Sequence, residues 1–145
     1  MMNAYFGSAV ITKLYVQESN SAEAARLVSA GTAPYALTHW QEIEVRTALR
    51  LKLFRREITA DELHASLSAF DEDIATGRWQ RPDYSLAEIH DRAAQLSARH
   101  AAEIGCRTLD IFHVAAAFIT GTPEFVSLDD RQRELAKREG LKVKP

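Results

Sequence analysis

Three carboxylates in this chain occupy positions that call for a chemical reason. Asp110 stands in the first turn of Arg107-Thr108-Leu109-Asp110-Ile111-Phe112-His113-Val114-Ala115-Ala116-Ala117-Phe118-Ile119, a run apolar almost all round from Leu109, as a buried helix is. Glu44 lies in the first half of a second helical stretch, and Asp129 opens a third. Carboxylates gathered in one cleft repel one another and raise one another's pKa unless a cation joins them. Magnesium or manganese, held by a few carboxylates and several waters, would activate a water and stabilise the charge of an in-line phosphodiester displacement. Ser127 and Ser8 would orient waters or phosphate oxygens, and Arg131 would offer a cation to the scissile phosphate.

Each of these residues also has a plainer reading. Asp110 alone serves the helix dipole, with Thr108 as the cap, and Asp129-Asp130 is an ordinary N-cap pair. Glu44 alone is a solvated glutamate beside Arg46 and Arg50. His113 reads as a satisfied core histidine and stays outside the metal set. The other histidines show no HExxH or paired Cys/His spacing, which argues against zinc, and neither a P-loop nor a nucleophile elbow is present.

The elements that must position these residues follow from local signals. Ala4-Tyr5-Phe6 is a short strand ended by Gly7, with Ser8 as the N-cap of a helix through Val10, Ile11 and Leu14. A helix from Ser19 or Ser21 stops at Gly31, and Tyr35-Ala36-Leu37 forms a second strand. From Thr38 a helix places Ile43, Thr47, Ala48 and Leu51 on one face with Glu44 beside it. Thr59-Ala60-Asp61-Glu62 and Ser85-Leu86-Ala87-Glu88 are capping boxes that open two more helices. Residues 77–83 between those helices read as a loop, where Arg78, Trp79 and Arg81 either stack on a base or anchor the turn to the core. Asp71-Glu72-Asp73 reads as a solvated helix face. Glu124-Phe125-Val126-Ser127 is a third strand, Asp129-Asp130 caps a last helix, and Lys142-Val143 is an edge strand. Strands separated by helices imply an α/β fold with a mainly parallel sheet covered on both faces, and ligands in such sheets gather beyond the carboxyl ends of the strands.

The chain of 145 residues is the size of one domain, 1–145. A net charge of −2 excludes a broad basic surface, so any nucleic-acid contact is local. Cys106 is the only cysteine, which excludes an internal disulfide framework and fits a reducing compartment. No basic segment followed by a long apolar stretch opens the chain, and no apolar run approaches a bilayer span; the expectation is a soluble cytoplasmic protein without membrane contact. The apolar surfaces expected to support self-association are the opening helix and the helix that follows Thr59.

Taken in order, Tyr5-Phe6-Gly7-Ser8-Ala9, Glu44-Val45-Arg46-Thr47-Ala48-Leu49, Arg107-Thr108-Leu109-Asp110-Ile111-Phe112-His113 and Phe125-Val126-Ser127-Leu128-Asp129-Asp130-Arg131 resemble the four acidic motifs of PIN-domain ribonucleases, and more narrowly the VapC toxin branch. The resemblance spans nearly the whole chain. It implies a three-layer α/β/α domain that cleaves RNA with Mg2+ or Mn2+, forms a homodimer and is silenced by a VapB-type antitoxin whose C-terminal segment fills the active-site groove. Glu44, Asp110 and Asp129 match the acidic positions, and Ser127 the hydroxyl residue two before the last acid. At the leading acidic position this chain has Gly7, so one metal ligand is vacated and cleavage is expected to be compromised. The rival expectation is a non-catalytic binding module that keeps the fold and the groove.

Overall fold

The computed structural model describes residues 2–145. Strands and helices alternate as β1 (Ala4–Phe6), α1 (Ser8–Thr12), α2 (Ser21–Ser29), β2 (Tyr35–Ala36), α3 (His39–Phe54), α4 (Ala60–Ala75), β3 (Trp79–Gln80), α5 (Leu86–Ile104), α6 (Thr108–Ile119), β4 (Glu124–Val126), α7 (Asp130–Arg138) and β5 (Lys142–Lys144). Every strand pair is parallel, with Tyr5 opposite Phe125, Phe125 opposite Val143, and Tyr35 opposite Trp79. Parallel neighbours need crossover connections, and the helices supply them. The fold is mixed α/β. The strands are hydrogen-bonded in two groups, β1-β4-β5 and β2-β3, with β1 packed beside β2.

The two-residue alternation of strand side chains divides the core. Ala4, Phe6, Tyr35, Leu37 and Val126 join a cluster with residues of α1, α2, α3 and α4. Their strand neighbours Tyr5, Ala36 and Phe125 join a second cluster with α5, α6 and α7. Neighbouring residues of one strand thus anchor different helices, and the strand ends become the place where both helical groups meet.

Several helix starts lie where capping chemistry puts them. Thr38 and Thr59 each accept the backbone N–H three residues on, while Gln41 and Glu62 reach back to close the box. Ser85 caps α5 through Glu88 N–H, without the reciprocal side-chain bond, and Asp129 caps α7 through Gln132 N–H. Gly105, at φ +72°, ends α5 in the left-handed conformation that glycine adopts without steric cost.

Four expectations are corrected. Residue 7, not Ser8, stands at the N-cap of α1. The cap of α6 is Arg107 rather than Thr108, with Asp110 Oδ2 accepting Arg107 N–H at 2.9 Å. The buried stripe of α3 is Gln41, Val45 and Leu49, which turns Ile43, Thr47 and Leu51 to solvent. Gln41 can be buried because its amide is used, donating to Phe6 O at 2.7 Å and accepting Thr38 N–H at 2.7 Å. Residues 77–83 are not all loop: Trp79-Gln80 pairs with β2, and Trp79 is buried, donating from Nε1 to Tyr15 Oη. That removes Trp79 as a stacking platform, while Arg78 pairs with Asp73 and Arg81 with Glu42.

The surfaces expected to mediate self-association point inward. Val10, Ile11 and Phe70 are fully buried, and Leu63, Leu67 and Ile74 of α4 pack against the first core cluster. The exposed large apolar side chains include Ile43, Leu51 and Phe54 on α3, Phe54 being 83% exposed. The acids of α4 are only partly solvated: Asp71 pairs with Arg46, and Asp73 accepts the Tyr15 hydroxyl and Arg78. Among the described residues, no helix is long and apolar enough to cross a membrane.

Candidate active site

The end of β1 runs through Gly7 into α1, and Gly7 N–H donates to Val126 O at 2.8 Å, holding this turn against the end of β4. Around it, two side-chain groups meet. The first is built on Glu44. Its Oε1 accepts Ser8 Oγ–H at 2.8 Å and lies 2.5 Å from His113 Nε2. The other imidazole nitrogen, Nδ1, shares a hydrogen bond of 2.8 Å with the Tyr5 hydroxyl, which also accepts Trp40 Nε1–H at 3.2 Å. Burial pushes the Glu44 carboxyl up, but the hydrogen bonds from His113 and Ser8 and the charge of His113 outweigh it, leaving this acid below its ordinary value. The negative charge of Asp110 acts on Glu44 in the upward direction. Burial holds the Tyr5 hydroxyl well above its ordinary value, so it keeps its proton.

The second group is built on Asp110. While Oδ2 takes Arg107 N–H, Oδ1 accepts Gln132 Nε2–H at 3.0 Å. Gln132 Oε1 in turn accepts the Ser127 hydroxyl at 2.8 Å, and Ser127 Oγ accepts Asp129 N–H at 3.1 Å. A Cβ at position 7 would lie 3.2 Å from Gln132 Oε1 and 3.4 Å from Ser127 Oγ. The space in front of Gly7 therefore belongs to this group, and the Gln132 amide stands next to it.

The residues singled out in the sequence are distributed as follows. Glu44, Asp110, Ser127 and Gly7 come together at the ends of β1 and β4. Glu44 is no solvated helix acid: Arg46 pairs with Glu42 and Asp71 instead, and the partners of Glu44 are Ser8 and His113. Asp129 is exposed and spends Oδ1 on its own helix, accepting Gln132 N–H at 2.9 Å, so the plain capping reading describes its present contact. Ser127 is buried and its proton is committed to Gln132. Arg131 is exposed on the first turn of α7. Cys106 is buried beside this region, and burial, with the Asp110 charge, pushes its thiol up, so it is a poor nucleophile.

Two residues escaped the sequence reading. His113 reads in the sequence as a core residue; it is buried, yet it touches Glu44. A signal was present in its position one turn after Asp110 on the same helix. Gln132 carries a weaker signal, standing three residues after the capping Asp129, where the cap uses its backbone N–H and leaves its side chain for more distant partners.

A cleft of about 360 Å³ opens beside Glu44, lined by Ser8, Thr12, Ala48, Leu51 and Arg55 among others. Lys52 and Glu18 line it too, Glu18 being held by Lys13 and Lys52, so the cleft carries the cations of Lys52 and Arg55 beside the Glu44 carboxylate. Both oxygens of Asp110 have capacity beyond their single N–H partners, and Glu44 Oε2 has no partner among the described residues. Among the described residues no three of His, Cys, Asp and Glu stand together as a ready ion site, and Gly7 contributes no ligand. Compared with protein-family models and with curated proteins, the chain matches none.

Proposed function

We propose that this chain is a PIN-like, VapC-type endoribonuclease with a three-layer α/β/α architecture, whose phosphodiester cleavage is compromised at Gly7. The observation that carries the reading is the convergence of Gly7, Glu44 and Asp110. At the ends of β1 and β4 the bare face of Gly7 lies against Ser127 and Gln132, Gln132 holds Asp110, and Ser8, next in the chain, holds Glu44, so the missing side chain would enter the group of Ser127 and Gln132. Helices contributing to two separate cores, divided by strand alternation, support the layered architecture.

In this reading Glu44 and Asp110 hold Mg2+ or Mn2+, Asp129 completing the set after leaving its cap. The bound ion supplies an activated water and neutralises phosphate charge. Asp110 accepts two N–H donors, and the donors of Ser8 and His113 hold Glu44 below its ordinary value. Arg131, exposed and near Cys106 at the mouth of α6, meets a substrate phosphate. RNA is the substrate. A VapB-type antitoxin covers the cleft, where the exposed Phe54 and Leu51 of α3 offer it apolar anchors, and the protein acts in the cytoplasm as a homodimer.

The second reading, a binding module without catalysis, is favoured by Gly7 itself and by the Gln132 amide that occupies Asp110. Manganese-dependent cleavage of total RNA separates the two, using this chain, Gly7→Asp, and Gly7→Asp combined with Asp110→Asn. Cleavage by Gly7→Asp alone supports the disarmed nuclease. Three folded but inactive proteins favour the binding module, and equal cleavage by the first two removes position 7 from the ligand set.

A further inference from the structure

From Val45 to Arg56 the chain carries five cations, Arg46, Arg50, Lys52, Arg55 and Arg56, and no acid. Two of them are taken up inside the fold: Arg46 by Glu42 and Asp71, and Lys52 by Glu18 and Glu57. Arg50, Arg55 and Arg56 are exposed, and their guanidinium groups have no hydrogen bond or ion pair among the described residues. The acids that follow serve other groups. Glu57 holds Lys52, and Asp61 and Glu62 stand in the first turn of α4, where Glu62 closes the Thr59 capping box. The helix dipole accounts for cations in the last turn only, and Arg50 lies before it. Beside these charges Phe54 is 83% exposed. Arg50 is its neighbour one turn back on the same face of α3, and Arg55 follows it at the helix end. Arg55 also lines the cleft, about 16 Å along the axis of α3 from Glu44.

We propose that Phe54 with Arg50 and Arg55 is a subsite for single-stranded RNA: a base stacks on the exposed ring, and the two guanidinium groups take the phosphates beside it. This rests on the reading of RNA as the substrate, and adds the form of that RNA and where it lies. The net charge of the chain is −2, so a polyanion has to be met by a local excess of cation, and this stretch of α3 is one. A guanidinium fork matches a phosphate with two parallel N–H donors. The Phe54 ring has open faces and no pocket around it. A base needs only an open face, whereas an apolar side chain of a protein partner gains most where water is excluded. Bases in a duplex keep their faces stacked on one another, so the ring selects a single strand. An antitoxin anchored on Phe54 and Leu51 competes with that strand.

The test is binding of a fluorescent single-stranded RNA of about 12 nucleotides, read by anisotropy in chelator. The proteins are the full chain, Phe54→Ala, Phe54→Tyr, and Arg50→Gln combined with Arg55→Gln; every changed side chain is exposed, so the core is untouched. Phe54→Ala is expected to weaken binding about 5- to 20-fold, and Phe54→Tyr to stay within about twofold of the parent, because its ring stacks as well. Removing both arginines is expected to lower the slope of log K against log salt by about 1.4, at about 0.7 per phosphate. Binding of a duplex of the same sequence is expected to be indifferent to Phe54→Ala. Single-strand binding that none of these changes alters, or no binding at all, overturns the proposal. So does polyglutamate bound as tightly and with the same loss in Phe54→Ala, which assigns the face to an acidic polypeptide. The nuclease reading is decided separately, by cleavage in Gly7→Asp. Cutting with an unaltered Phe54→Ala affinity keeps the nuclease and removes the subsite, whereas binding that depends on Phe54 without cutting keeps the subsite and removes the nuclease.

Discussion

Gln132 donates from its side-chain amide to Asp110 Oδ1 at 3.0 Å, across 22 residues of sequence, while its Oε1 lies 3.2 Å from where a Cβ on residue 7 would stand. The amide therefore partly fills the space that an acid at position 7 would enter, and it partners the acid that would be its neighbour. Residue 7 has φ −58° and ψ 145°, a conformation open to any residue, and the close atom is the end of a flexible side chain. Gly7→Asp is accordingly expected to fold.

The same substitution brings a third carboxylate toward Glu44 and Asp110, so like-charge repulsion is expected to lower the Tm in chelator. Added Mn2+ should reverse the order. Ligand at about 100 times its Kd contributes roughly 2.7 kcal/mol, so the Mn2+-dependent rise in Tm should be clearly larger for Gly7→Asp than for the parent. Thermal melts with and without chelator check this; equal rises would remove position 7 from the ligand set.

Gln132→Ala is expected to release Asp110 and Ser127 together. Each loses its side-chain partner, but Asp110 remains half-exposed and can be hydrated, so the cost should stay near 1 kcal/mol. Urea unfolding measures it.

Trp79→Ala should be far more damaging. Trp79 is buried, its ring lies edge-on to Phe6 at 6.0 Å, and Nε1 serves Tyr15. Truncation is expected to cost about 3–5 kcal/mol in urea unfolding, whereas Arg81→Ala, removing one partly exposed pair with Glu42, should change stability by less than about 1 kcal/mol.

Acid stability should depend on Glu18. Burial pushes its carboxyl up, but hydrogen bonds from Lys13 and Lys52 and their charges outweigh it and hold the group below its ordinary value of 4.5. The stability from a depressed acid is present above the unfolded value and lost as pH falls through the folded one. Lys52 is shifted the opposite way, raised above 10.5 chiefly by its hydrogen bond to Glu18, so its share is lost only as pH rises through that higher value. Glu18→Gln is expected to flatten the stability profile on both limbs, most visibly below pH 4.5; an unchanged acid limb would contradict the assignment.

Much of this molecule was legible because the deciding interactions are local. Thr38, Thr59, Ser85 and Asp129 open helices through an oxygen that meets an amide three residues away, a relation complete within one turn. The strands at Ala4, Tyr35 and Glu124 declared themselves as short apolar runs between turn residues, and their spacing by helices required parallel pairing. What a two-residue strand or a helix face does, however, depends on distant partners. Trp79-Gln80 is a strand only because β2 lies beside it, and α3 buries Val45 rather than Ile43 because Gln41 finds Phe6 O across 35 residues. The site divides the same way. Acid types and their order, and the vacancy at Gly7, are properties of the sequence alone. That His113 reaches Glu44 across 69 residues, and that Gln132 stands in the lee of Gly7, was decided only when the two helical groups closed on the strand ends, because a hydrogen bond between remote side chains leaves no periodic trace in either segment.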